Sequence, residues 1–236
     1  MIKLNTALET HASITISDID IKNAISIFSE SRKLYNQLNS LRTENPPSIT
    51  ATNLMKITTD FFKSDPKIWN AKTKGILENK KMQTPNGAIN NNPRILLSGS
   101  PLHEINFISF MEEIGLNIVY EDLCTGSKFF DLVINESHDL IASLSEAYLN
   151  RTPCARMMQI KERVDQIYKT AEKFEVDGVI YHSLKFCDTC LLDVPTLKTM
   201  LTEKGLNVLF IESDGGLGNS NQIRTRIEAF SEIIRS

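Results

Sequence analysis

The sequence predicts an α/β fold: a four-stranded, parallel, doubly wound sheet preceded by an N-terminal helical segment. Three observations predict it. Four short apolar runs, "RILLSG", "LNIVYED", "DGVIYHS" and "LNVLFIE", occur after residue 93. They lack the apolar–polar alternation of strands with one wet face, so they read as strands buried on both faces of a parallel sheet. Each run is followed by a helical stretch, and repeated strand-then-helix units build a sheet with right-handed crossovers. The chain before residue 76 instead shows helical periodicity and ends in a Pro-, Gly- and Asn-rich stretch.

The first element is the long helix in "ITISDIDIKNAISIFSESRKLYNQLNSLR". Ser17 is its N-cap, and Asp20 three residues on completes a capping box. Ile21, Ala24, Ile25, Phe28, Tyr35 and Leu38 recur near a 3.6-residue period and mark the buried face. Pro46 and Pro47 are expected to stop it. A second helix covers Ala51 to Phe62 after the Ser48–Thr50 cap region. "ENKKMQTPNGAINNNPR" has little to bury and reads as an exposed linker. The expected division is a helical segment over 1–75, a linker over 76–93 and an α/β domain over 94–236.

The strands are expected at 94–99, 116–122, 177–183 and 206–212. "LHEINFISFMEEIG" is the helix after the first, "LIASLSEAYLN" and "ARMMQIKERVDQIYKTAEKF" follow the second, "DVPTLKTMLTEKG" follows the third, and "NQIRTRIEAFSEIIRS" closes the chain. Right-handed crossovers favour the strand order 2-1-3-4, the Rossmann- or flavodoxin-like arrangement.

Composition narrows the function classes. The 236 residues are 41% apolar and 23% charged, ordinary for a soluble globular chain. The net charge of −3 offers no basic face for nucleic acid. No apolar run approaches the roughly 20 residues of a membrane span, and "MIKLNTALETHAS" has no apolar core of a signal peptide. Four cysteines are too few for a disulfide scaffold, so a reducing cytoplasm is expected, with thiols free for metal or redox use.

In an open parallel sheet, ligands bind beyond the carboxyl ends of the strands, where the strand order reverses. Those ends carry Ser98, Gly99 and Ser100; Glu121, Asp122 and Cys124; His182, Lys185, Cys187 and Asp188; and Glu212, Asp214 and "GGLG" at 215–218. Cys187 and Cys190 form a CxxC pair, which admits a dithiol redox site, a metal pair or ordinary packing. Cys190, followed by two leucines, reads as a buried hydrophobe, whereas Cys187 between Lys185 and Asp188 reads as functional. Cys154, in "RTPCARMM" before a helix, is either packed or reactive. Gln222 and Arg224 open the last helix, where backbone N–H groups can donate to an anion. His182 reads as a structural histidine, and His11, His103 and His138 show no metal spacing.

"RILLSGSPL", "VYEDLCTGSKFF", "LSEAYLNRTPC", "VDGVIYHSLKFCD" and "FIESDGGLGNSNQIRTRIEAF" occur in this order. Together they resemble the D-component family of 2-hydroxyacyl-CoA dehydratases, which also includes benzoyl-CoA reductase subunits. The resemblance runs through the α/β domain, and "AISIFSESRKLYNQLNSLR" resembles the family's interdomain helical segment.

The resemblance implies an oxygen-sensitive iron–sulfur subunit that pairs with a homologous dehydratase subunit. An ATP-dependent iron–sulfur activator protein would deliver one electron, and a ketyl radical on the acyl-CoA substrate would allow the 2-hydroxyl to leave. It implies a [4Fe–4S] cluster between two α/β domains, with Cys187 matching a cluster ligand and Cys124 matching another family position. Cys190 has no counterpart. Ser98, Gly99, Ser100, Glu121, Asp122, Glu212, Gln222 and Arg224 are the remaining substrate and loop candidates. The chain resembles the C-terminal part of such a subunit, so further cluster ligands are expected from Cys124, Cys154, Cys190 or a partner polypeptide. The alternatives are a benzoyl-CoA reductase-type subunit, or a non-catalytic assembly or binding subunit without the cluster.

Overall fold

The computed structural model describes residues 1–78, 92–102, 105–135, 139–157, 159–214 and 220–235. Most of the expected linker, His103, His138 and the "GGLG" stretch lie outside the described residues.

Four helices come first: α1 (Ile2–Ala12), α2 (Asp18–Ser40), α3 (Ala51–Phe61) and α4 (Pro66–Glu78). The α2 capping box is complete. The Asp20 N–H donates to Ser17 Oγ at 3.3 Å, and the Ser17 N–H donates to Asp20 Oδ2 at 3.0 Å. The helix stops at Ser40, short of the prolines that were expected to end it. Its last turn tightens through Arg42 N–H to Asn39 O at 3.1 Å, which folds the Arg42 side chain inward. The neighbours α1 and α4 were not foreseen; α1 buries none of its residues.

The α/β part follows as β1 (Arg94–Gly99), α5 (Ile105–Glu113), β2 (Asn117–Asp122), α6 (Ser127–Phe130), α7 (Leu140–Leu149), α8 (Ile160–Lys173), β3 (Gly178–Leu184), α9 (Asp188–Glu203), β4 (Asn207–Ser213) and α10 (Ser220–Arg235). A 3-10 turn at Ala155–Met157 precedes α8, so that helix starts later than its sequence suggests. All strand pairs are parallel and the order is β2-β1-β3-β4, as expected. The register sets Gly99 beside His182 and Leu184 beside Ser213, so the strands finish at one edge.

Alternate residues of the same strands supply two cores. Ile95, Leu97, Ile180 and Ile211 pack with Phe107, Met111, Ile223 and Ile227 of α5 and α10. Leu96, Val179, Tyr181 and Val208 pack with Val164 and Ile167 of α8 and with Leu197 and Leu201 of α9. This explains the continuous apolar runs, since both strand faces are covered. A third core joins the N-terminal helices to α6: Tyr35, Leu38, Leu54, Phe61 and Trp69 enclose Phe130. Tyr35 and Phe130 stack at 4.1 Å, a contact worth about 0.5–1.5 kcal/mol beyond the area it buries. Among the described residues, no helix is long and apolar enough to cross a membrane.

Candidate functional site

A cavity of about 340 Å³ opens beyond the carboxyl ends of β1, β2 and β3, on the α8–α9 side of the sheet. That is the lower end of the range for small-molecule sites, roughly 300–1,000 Å³. Its floor is Ile167, Tyr181 and Leu197, and its polar wall includes Ser98, Asp122, Lys128 and Arg163. All four cysteines line it: Cys124, Cys154, Cys187 and Cys190. They come from three separate connections, so the topology, rather than any local spacing, brings them together.

The β3 end presents two of the thiols. Lys185 N–H donates to Ser213 O at 2.7 Å and carries the chain past the sheet. Phe186 then takes a left-handed conformation (φ 63°) with its ring 90% exposed. That reversal makes Cys187 the N-cap of α9, with the Leu191 N–H donating to its carbonyl at 2.9 Å. The Cys190 N–H, then the Thr189 hydroxyl 3.6 Å away, bring the Cys187 thiol down to about 7. Burial instead pushes the Cys190 thiol up. Ser100 sits between strands: its N–H donates to His182 O at 2.8 Å, and its hydroxyl accepts from Leu184 N–H at 3.2 Å. That hydroxyl also favours the thiolate form of both cysteines. At Gly99 (φ 116°), an added Cβ would stand 1.9 Å from the His182 carbonyl oxygen, so this crossing of β1 past β3 requires glycine.

The β2 end is built from paired charges. Asp122 accepts from Ser98 Oγ at 2.8 Å and meets Lys128 Nζ at 3.1 Å, which presents Lys128 to the cavity. Glu121 points the other way. Its carboxylate takes a buried ion pair from Arg42 and a 2.6 Å hydrogen bond from the Tyr35 hydroxyl, itself 3.0 Å from Ser127 Oγ. Burial, and next the Glu121 charge, push the Tyr35 phenol well above its ordinary value, so it stays protonated and donates. The Glu121 side chain packs so close to Gly126 that an added Cβ would sit 2.8 Å from its Cγ. Glu121 therefore shapes the turn that carries Cys124 without lining the cavity itself.

Arg163 closes the far wall. It pairs with Asp193 of α9 and donates to Cys154 O at 3.1 Å, tying α8, α9 and the Cys154 segment into one frame.

The structure thus gathers Ser98, Gly99, Asp122, Cys124 and Cys187 at the cavity and sets Ser100 beside its thiols. It does not bring Glu212, Gln222 or Arg224 there. Glu212 is exposed on the edge strand β4, and Gln222 is exposed on α10. Arg224 lies over the Phe110 ring at 4.7 Å and pairs with Glu228 at 3.6 Å. His182 is fully buried, with Nε2 2.8 Å from Ser213 Oγ, and burial lowers its pKa to about 4. Lys128, Arg163 and Tyr181 were not foreseen. For Arg163, position beside Val164 on the apolar face of α8 was the available signal.

Cysteine thiols facing one cavity are the donor type of an iron–sulfur site. Among the described residues, however, no three His, Cys, Asp or Glu side chains converge closely enough to hold a metal together. The described residues alone therefore do not form a complete cluster site.

Comparison with known proteins places this geometry in a lineage. The model of the family described as 2-hydroxyglutaryl-CoA dehydratase, D-component, matches residues 1–234. The chain is 27% identical over 227 residues to the (R)-phenyllactyl-CoA dehydratase beta subunit of Clostridium sporogenes, covering 96% of this chain and 60% of that one. It is 21% identical to the beta subunit of lactoyl-CoA dehydratase from Anaerotignum propionicum, covering 96% of this chain and 61% of the relative. It is also 21% identical to a benzoyl-CoA reductase subunit of Thauera aromatica, covering 99% and 61%. The chain spans about three fifths of the length of these curated relatives. With the family match running almost end to end, the chain belongs to the 2-hydroxyglutaryl-CoA dehydratase D-component family.

Proposed function

We propose that this chain is part of an iron–sulfur subunit of the 2-hydroxyacyl-CoA dehydratase type, acting in the cytoplasm on an acyl-CoA substrate. It would assemble with a homologous dehydratase subunit and depend on an ATP-driven activator. The observation that carries the reading is the convergence of four thiols on one cavity at the carboxyl edge of the sheet. Cys187, with its lowered pKa and its place at a helix N-terminus, is the residue assigned to a [4Fe–4S] cluster, and Cys124 is the second candidate. Because the described donors do not close a site, the remaining ligands come from a partner polypeptide. Asp122 and Lys128 would hold polar parts of the substrate at the cavity wall, and Ile167, Tyr181 and Leu197 would exclude water from its acyl group.

The test is anaerobic reconstitution with iron and sulfide, with and without a partner subunit that brings further cysteines. Iron and sulfide should be retained with the partner and lost in Cys187→Ser. Iron retained equally by Cys187→Ser, or absent in every combination, would sink the assignment. The similarity to the Thauera aromatica benzoyl-CoA reductase chain keeps an aryl-CoA reductase subunit as a second reading, distinguished by substrate. The lack of three converging donors among the described residues favours a third, a non-catalytic assembly subunit. That reading expects partner binding to survive Cys187→Ser.

A further inference from the structure

The cluster reading uses Cys187 and leaves Cys190 unexplained. Both line the cavity, but Cys190 is only 7% exposed while Cys187 is half-buried. The Cys190 N–H donates to the Cys187 carbonyl at 3.0 Å, which closes a turn between them. Such a turn holds the two Cα atoms within about 7 Å, and a disulfide requires roughly 4.4–6.8 Å. Both cysteines line the same cavity. Thr189 Oγ1 stands 3.6 Å from the Cys187 sulfur, on the side open to the cavity. Cys187 is thus the more open of the two thiols and Cys190 the more buried.

We propose that Cys187 and Cys190 form a reversible dithiol–disulfide couple that exchanges with low-molecular-weight disulfides, Cys187 attacking and Cys190 resolving. In the first step the Cys187 thiolate attacks one sulfur of the small disulfide, forming a mixed disulfide and expelling one small thiolate. In the second, the Cys190 sulfur gives up its proton and attacks Cys187 Sγ, expelling the second small thiolate. The protein dithiol loses two electrons and two protons, and the small disulfide becomes two thiols. The buried resolving partner keeps the mixed disulfide short-lived, the usual logic of a redox-responsive pair. The couple needs no metal, so it operates in the cluster-free chain and stands apart from the proposed function. Where that function also holds, oxidation would withdraw Cys187 from the cluster.

The test uses the full chain, kept free of iron, treated with oxidised glutathione, alkylated, digested with trypsin and weighed. Cleavage after Lys185 and Lys198 leaves both cysteines in one peptide. In the native chain this peptide should lose two hydrogens, resist alkylation and regain two reactive thiols after reduction. Cys190→Ser should accumulate glutathione on Cys187, and Cys187→Ser should slow modification of Cys190 at least tenfold. The native chain alone can overturn the proposal: a stable glutathione adduct on Cys187, or a bridge from Cys187 to Cys124 or Cys154, is incompatible with it. Modification of Cys190 at an undiminished rate in Cys187→Ser would overturn the assigned order.

Discussion

The ends of β2 and β3 lie at the same edge of the same sheet, yet they are held by different physics. The β2 end is fixed by charge. Glu121 is locked to Arg42 and Tyr35 of the N-terminal helical region, and Asp122 to Ser98 and Lys128. Among the described residues, the β3 end has no buried ion pair: backbone N–H groups of Lys185 and Leu184 bond to the Ser213 carbonyl and the Ser100 hydroxyl, and the chain then leaves the protein with an exposed ring at Phe186. Buried charges are costly to disturb and hold one geometry. A backbone-held turn positions its side chains while leaving them open to reagents. The comparison teaches that the cavity has a rigid, charge-paired wall and an accessible thiol wall, and that reactivity belongs to the second.

The sharpest way to break the comparison is at the rigid end. Arg42→Met strands the Glu121 carboxylate, so unfolding free energy in urea should fall by about 3–5 kcal/mol. Adding Glu121→Leu should restore more than half of that loss, because the unpaired charge is gone. If the two losses simply add, Glu121 is not held by Arg42. The next effect concerns His182, inside β3 and before the exposed turn. Its folded pKa of about 4 lies below the ordinary 6.5, so the unfolded chain takes up a proton that the folded chain refuses. The stability from keeping it neutral is fully present above pH 6.5 and is lost as pH falls toward 4, by about 3 kcal/mol over that window. His182→Gln should flatten this slope in urea midpoints measured from pH 7 to pH 4, and an unchanged slope would assign it to other groups. The smallest effect is expected at the accessible end. Phe186→Gly removes a left-handed strain of about 1 kcal/mol and buries nothing less, so stability should stay level or rise by about 0.5–1 kcal/mol. A loss above 1 kcal/mol would mean that the Phe186 ring is packed.

The sheet was legible because strands covered on both faces must be apolar throughout, as Ile95, Leu96 and Leu97 show. The α2 start was legible because a capping box is a local code. Its end was not, since Arg42 turns inward to meet a carboxylate 79 positions away. Glu121 and Asp122 illustrate the same limit at the site. They are neighbours with the same chemistry, but successive strand residues face opposite ways, so one joins the helical core and the other the cavity. Cys154 reaches the cavity because Arg163 holds its carbonyl, a tertiary bond with no spacing signature. Arg224 opens the last helix as the sequence suggests, yet α10 covers the opposite face of the sheet and turns it onto Phe110.

The Arg42–Glu121 pair also bears on dissection of the chain. Residues 94–236 look like a portable unit with their own sheet and flanking helices. Expressed without α2, they would carry a buried carboxylate lacking its cation and a Phe130 ring stripped of Tyr35 and Trp69. A truncation, fusion or circular permutation that parts α2 from the sheet would therefore expose a charge and an aromatic face that the whole chain keeps buried.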